Sequence, residues 1–72
     1  MTEENSKRYQ IIADQIKQGN TDDAIIGLKE ILLSNPNDLI ALSMSGSAYM
    51  RAGDETEAFN FFEAAIKLDP NS

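Results

Sequence analysis

The chain has 72 residues and a net charge of −6, and it contains no cysteine and no histidine. This length fits one small domain over residues 1–72, and the missing residue types exclude disulfides and the usual zinc sites. The acidic balance argues against nucleic acid and anionic membranes as partners, because both require a basic surface.

The first half of the chain predicts two helices joined by a glycine turn. The first is expected from about residue 3 to residue 18, and its apolar residues recur at helical spacing: Tyr9, Ile12 and Ile16. Gly19 should end this helix in a left-handed conformation, and Asn20 should cap the next one. The second helix has an apolar side of five residues: Ala24, Ile25, Leu28, Ile31 and Leu32.

The second half predicts the same order of elements. Residues 35–38 form a proline turn in which an asparagine or the aspartate can cap the next helix. This third helix is expected over residues 39–52 until Gly53 stops it. Asp54 should cap a fourth helix over residues 55–68, which a second proline turn follows. The apolar side of the fourth helix consists of Ala58, Phe59, Phe62, Ala65 and Ile66. No strand pattern competes with these helices.

Residues 19–38 and 53–72 repeat each other at a spacing of 34. The matching pairs include Gly19 and Gly53, Asp23 and Glu57, Ala24 and Ala58, Leu28 and Phe62, and Pro36 and Pro70. A fixed period of this size indicates stacked repeats, in which each unit covers its apolar face with the next. The expected fold is therefore all-α, with two antiparallel helix–turn–helix hairpins stacked as a short α-solenoid.

One set of residues in the second half closely resembles the signature of the tetratricopeptide repeat family: Leu42, Gly46, Tyr49, Gly53, Ala58, Phe62, Ala65 and Pro70. Residues 39–72 resemble one nearly complete repeat, although Leu42 replaces the family's tryptophan and Ser45 its leucine. Residues 5–38 resemble a degenerate copy with three departures in the first helix: Arg8, Ile12 and Gln15. The resemblance implies a scaffold for protein–protein interaction, with a protein or peptide as partner and no cofactor.

The resemblance also places a peptide-binding groove on the first helix of each repeat. The expected groove residues are Ser6, Tyr9, Ala13, Ile16, Lys17, Ile40, Ser43, Ser47, Met50 and Arg51. Their mixture of apolar area and two cations fits an apolar segment with an acidic flank. In the alternative interpretation, Ile40 and Met50 are partly core and the cations only complement the helix dipoles. The Lys–Asn carboxylate clamp of some family members is absent from the matching positions.

No catalytic set is expected, and we predict a protein that is not an enzyme. Ser43, Ser45 and Ser47 alternate, but the chain lacks the histidine that would activate a serine. Small residues that ease helix packing are the better interpretation of this trio. The acids that begin at Asp54 do not form a calcium loop, because Phe59 occupies the position that such a loop gives to glycine.

The fourth helix has more apolar residues than one neighbouring helix can cover. We expect a self-association surface there, formed by Phe59, Phe61, Phe62, Ile66 and Leu68. The chain would then be a homodimer, or part of a longer repeat array. No stretch reaches the roughly 18 apolar residues of a membrane span, and the N-terminus is polar, so we expect a cytoplasmic protein.

Overall fold

The computed structural model describes residues 3–71, with side chains from Ser6 onward. It contains four helices: α1 over Glu3–Lys17, α2 over Thr21–Ser34, α3 over Leu39–Arg51 and α4 over Glu55–Leu68. The described residues form no strand, and the expected all-α fold of two helical hairpins is confirmed. Helices α1 and α3 each end one residue earlier than expected. Residues 1, 2 and 72 of the predicted domain lie outside the described residues.

Both hairpins turn at a glycine in the left-handed region, as expected. Gly19 has a φ of 82° and Gly53 a φ of 86°. In each turn the glycine N–H donates a hydrogen bond to the carbonyl three residues before the glycine. The N–H of the residue that follows the glycine donates to the carbonyl five residues before that residue. This pair of bonds is the Schellman motif, which satisfies carbonyls at a helix end. The two hairpins therefore share one hydrogen-bonded turn.

Side-chain capping occurs at two of the three predicted helix starts. Asp38 accepts a hydrogen bond from the Ala41 N–H at 3.0 Å, and Asp54 accepts one from the Glu57 N–H at 3.3 Å. The predicted side-chain cap by Asn20 is wrong, since this residue makes no such bond. Its amide instead donates to the Asp23 carboxylate at 2.9 Å, a charged acceptor one turn ahead.

The core lies where α3 packs against α1 and α2. Seven buried apolar residues form it: Ile12, Ile16, Ala24, Leu28, Ile31, Ala41 and Ala48. Among the described residues α3 contacts all three other helices, whereas α4 contacts α3 alone. Helix α4 turns the buried Ala58 and Ala65 toward the protein, and the Phe61 ring stacks on Tyr49 with centroids 5.5 Å apart. Helix α3 is thus the centre of the fold.

The two hairpins use opposite arrangements of large and small residues at a contact between their two helices. In the second hairpin Gly46 of α3 faces the Phe62 ring of α4, and a Cβ at Gly46 would lie 2.4 Å from the ring carbon Cε1. In the first hairpin the large residue is Ile12 of α1, and the glycine is Gly27 of α2. The isoleucine in place of the packing glycine is therefore matched by a glycine in the opposite helix.

Candidate functional site

A cavity of about 360 Å³ lies between α1 and α3, and we call it the α1–α3 groove. Its lining residues are Ala13, Ile16, Lys17, Ser43, Met44, Ser47 and Arg51. Six of the ten residues expected in the peptide groove are therefore brought together here. Met44 also lines the groove but was not among the expected residues, although its spacing of three residues from Ser47 and seven from Arg51 places it on the same side of α3.

The groove combines apolar surface with two positive charges. Ala13, Ile16 and Met44 provide the apolar part, and Ile16 also belongs to the core. Lys17 and Arg51 lie in the last turns of α1 and α3, at equivalent positions of the two hairpins. None of the described residues that line the groove is acidic. The site can therefore accept an apolar group that stands beside a negative charge.

The other four predicted groove residues lie elsewhere. Ser6 is exposed, and the partly exposed Ile40 and Met50 do not line the cavity. Tyr9 is half-buried against the core, and its hydroxyl donates a hydrogen bond to the Asp38 carboxylate. This bond joins α1 to the cap of α3, so the Tyr9 hydroxyl already has a partner within the chain.

The Tyr9 environment raises the pKa of its phenol from 10.0 to about 12. Burial is the largest cause, followed by the hydrogen bond to Asp38 and by the negative charge of that carboxylate. Each of these disfavours the tyrosinate, whereas the positive charge of Arg8 acts in the opposite direction.

We expect this shift to make folding stability fall at high pH. The unfolded chain releases the Tyr9 proton near pH 10.0, but the folded chain holds it until about pH 12. The contribution is thus complete below pH 10 and is lost as the pH rises through 12. Tyrosinate absorbance in a Tyr49→Phe variant isolates Tyr9, and Asp38→Asn should lower its pKa. A Tyr9 that titrates near 10.0 while the protein is folded would contradict this prediction.

The serine trio behaves as packing residues in part. Ser45 is buried, and its hydroxyl donates to the Ala41 carbonyl at 2.7 Å, within its own helix. Ser43 and Ser47 line the α1–α3 groove instead. In the part of the chain that the structure describes, no cluster of acidic side chains could hold a metal ion. Among the described residues, no helix has both the length and the apolar composition of a membrane span.

A second cavity, of about 270 Å³, lies between α1 and α2 and was not predicted. Its lining mixes exposed isoleucines with charges of both signs: Arg8, Ile11, Ile12, Gln15, Asp23, Ile26, Gly27 and Glu30. Arg8 and Glu30 form an exposed ion pair at 3.3 Å beside it. The sequence signal that could have indicated this cavity was the pair Ile11 and Ile26, because both isoleucines lie outside the apolar stripes of their helices.

The predicted self-association surface falls on two sides of α4. Phe59 and Ile66 are exposed, whereas Phe61 and Phe62 are half-buried against α3. Leu68 is also exposed, but it lies two residues beyond Ile66 and so points to another side of the helix. The exposed apolar area on one side of α4 is thus centred on Phe59 and Ile66.

Comparison with known sequences gives a family and two relatives. Residues 40–72 match the tetratricopeptide repeat family. Over 57 residues the chain is 37% identical to cellulose synthase operon protein C of Escherichia coli K12 and to the putative protein of that name from Escherichia coli O157:H7. The match covers 79% of this chain but 5% of each relative. The chain thus spans about one-twentieth of the length of these relatives.

Proposed function

Since residues 40–72 are a tetratricopeptide repeat, a module of protein–protein interaction, we propose that the chain is a non-enzymatic interaction module whose α1–α3 groove binds a partner protein. The bound segment would be an extended peptide or a helix. Residues 5–38 would act as a degenerate copy of the repeat and supply half of the groove through Ala13, Ile16 and Lys17.

The paired cations beside an apolar floor are the observation that supports this proposal. Lys17 and Arg51 are two of only six basic residues in a chain of net charge −6, and both line the same groove. A ligand with an apolar residue next to an acidic one would match both parts of the site. The cavity between α1 and α2 is a weaker candidate, because Asp23 and Glu30 line it together with Arg8.

We expect peptides selected from a random library against the whole chain to be enriched in acidic residues beside apolar ones. Replacement of both Lys17 and Arg51 by alanine should weaken their binding about tenfold, since two exposed ion pairs together contribute about 1.4 kcal/mol. Raised salt should weaken binding to the wild-type chain by screening these charges. Fluorescence anisotropy with a labelled selected peptide measures both effects.

Lys7→Ala combined with Lys29→Ala is the matched control, because it removes the same charge from exposed sites outside the groove. This variant should bind the selected peptide as the wild type does. Equal loss in both double variants would indicate a net-charge effect and would contradict the groove assignment. So would peptides that carry no acidic residue.

A further inference from the structure

The two hairpins differ in how much of their surface is covered by the helices that follow them in the chain. Helix α3 packs over α1 and α2, but no described residue packs over α3 and α4 in the same way. Four positions of the first hairpin are therefore more buried than their counterparts 34 residues later: Ile16 and Met50, Ile25 and Phe59, Leu28 and Phe62, and Leu32 and Ile66. We call Met50, Phe59, Phe62 and Ile66 the C-terminal face.

The most exposed members of this face form a self-complementary pair. Phe59 is 70% exposed and Ile66 is 62% exposed. They are seven residues apart, which is about two turns, so they lie along one line of α4. A two-fold axis between them would place Phe59 of each copy against Ile66 of the other. We propose that α4 pairs antiparallel with α4 of a second copy of this chain about such an axis.

The charges along α4 favour the antiparallel direction. Its first turn is acidic, with Glu55 and Glu57, whereas Lys67 of its last turn pairs with Glu63 at 3.3 Å. Antiparallel pairing brings the acidic first turn of each helix toward this ion pair of the other, and it also opposes the two helix dipoles favourably. The two Glu63 carboxylates come together near the axis, where Lys67 of each copy offsets their charge. A parallel pair would place the two acidic first turns side by side.

The other end of the molecule does not fit the C-terminal face. Helix α3 docks on the first hairpin through Ala41 and Ala48, which are fully buried, with Met44 between them. At the three equivalent positions α1 has Lys7, Gln10 and Asp14, all exposed. A second copy therefore cannot place α1 on α4 as α3 is placed on α2, because polar side chains would be buried. Head-to-tail growth is disfavoured, and association closes at two copies.

Analytical ultracentrifugation of the whole chain tests this pairing. The 7.9 kDa chain should approach twice its mass as its concentration rises from about 10 µM to about 1 mM, the range expected for a small interface. Phe59→Ser combined with Ile66→Ser should remain monomeric. Ile11→Ser combined with Ile26→Ser is the matched control, because these isoleucines are 58% and 57% exposed at the other end of the molecule. The control should still dimerise.

Single cysteines in this cysteine-free chain test the geometry without disturbing the apolar residues. Glu63 lies beside the proposed axis, so Glu63→Cys should form a disulfide-linked dimer on mild oxidation. Thr56→Cys places the same group two turns earlier, and its two copies would be about 20 Å apart along the helices. It should form little linked dimer.

Four results would overturn the proposal: a monomer at every concentration, species larger than a dimer, loss of dimer in the isoleucine control, or equal linkage by the two cysteine variants. Circular dichroism verifies that each variant is folded. The α1–α3 groove is not involved in any of these measurements, so their failure would leave peptide binding by the groove unaffected.

Discussion

Replacing Gly46 by alanine should lower the free energy of unfolding by about 2 kcal/mol, as overpacking of a close contact does. The new Cβ would lie 2.4, 2.6 and 2.7 Å from three carbons of the Phe62 ring. Real side chains do not approach so closely, so the ring must rotate outward or α4 must move away from α3. The gain in helix propensity, about 1 kcal/mol, opposes this cost but is smaller.

Urea denaturation followed by circular dichroism measures the Gly46→Ala effect. Combining Gly46→Ala with Phe62→Leu should recover part of the loss, since leucine has no ring edge at this contact. The two changes should therefore be coupled in a double-mutant cycle. If Gly46→Ala instead stabilises the protein, as alanine does at an unhindered helical position, the close approach of α3 and α4 is misassigned.

Leu28→Ala should destabilise the protein by about 3 kcal/mol, within the range observed for leucine deletions in cores. The side chain is 1% exposed and lies in the cluster that joins α2 to α1 and α3. Its loss leaves a cavity that three packed helices cannot fill by a small movement. A domain of this size has a total stability of about 5 kcal/mol, so the variant should be close to unfolding.

Leu33→Ala provides the matched control for this substitution. Leu33 lies in the same helix and is 84% exposed, so the same chemical change should alter stability by less than about 0.5 kcal/mol. Thermal melts of both variants distinguish burial from helix propensity. Similar losses in the two variants would mean that Leu28 is not part of the core.

The features that depend on neighbouring residues were predictable from the sequence. Gly19 and Gly53 adopt the left-handed conformation that ends a helix, and Asp38 and Asp54 cap the next helices. Each of these helix ends and caps depends on residues that are only a few positions apart in the sequence. Asn20 shows the limit of such reasoning, because its side chain donates to the Asp23 carboxylate instead of accepting a hydrogen bond from a backbone N–H of α2.

The features that depend on distant residues were predictable only in part. Tyr9 was expected in the groove, but its partner Asp38 is 29 residues away and becomes adjacent only when α3 packs on α1. Gly27 gave no sequence signal of its own, because its role depends on which residue of α1 faces it. Helical spacing locates a side of a helix, whereas only packing determines which side chains meet there.

The opposite large–small arrangements of the two hairpins have a consequence for how the chain selects its own pairings. If α1 paired with α4, Ile12 and Phe62 would compete for the same space. If α3 took the place of α1 against α2, Gly46 would stand where Ile12 fills the space over Gly27 and would leave a void there. Similar repeats are prone to exchange of equivalent segments while they fold. In this chain a clash or a void disfavours each exchanged pairing. The hairpins are therefore similar enough to stack, yet their helices differ enough to disfavour exchange between them.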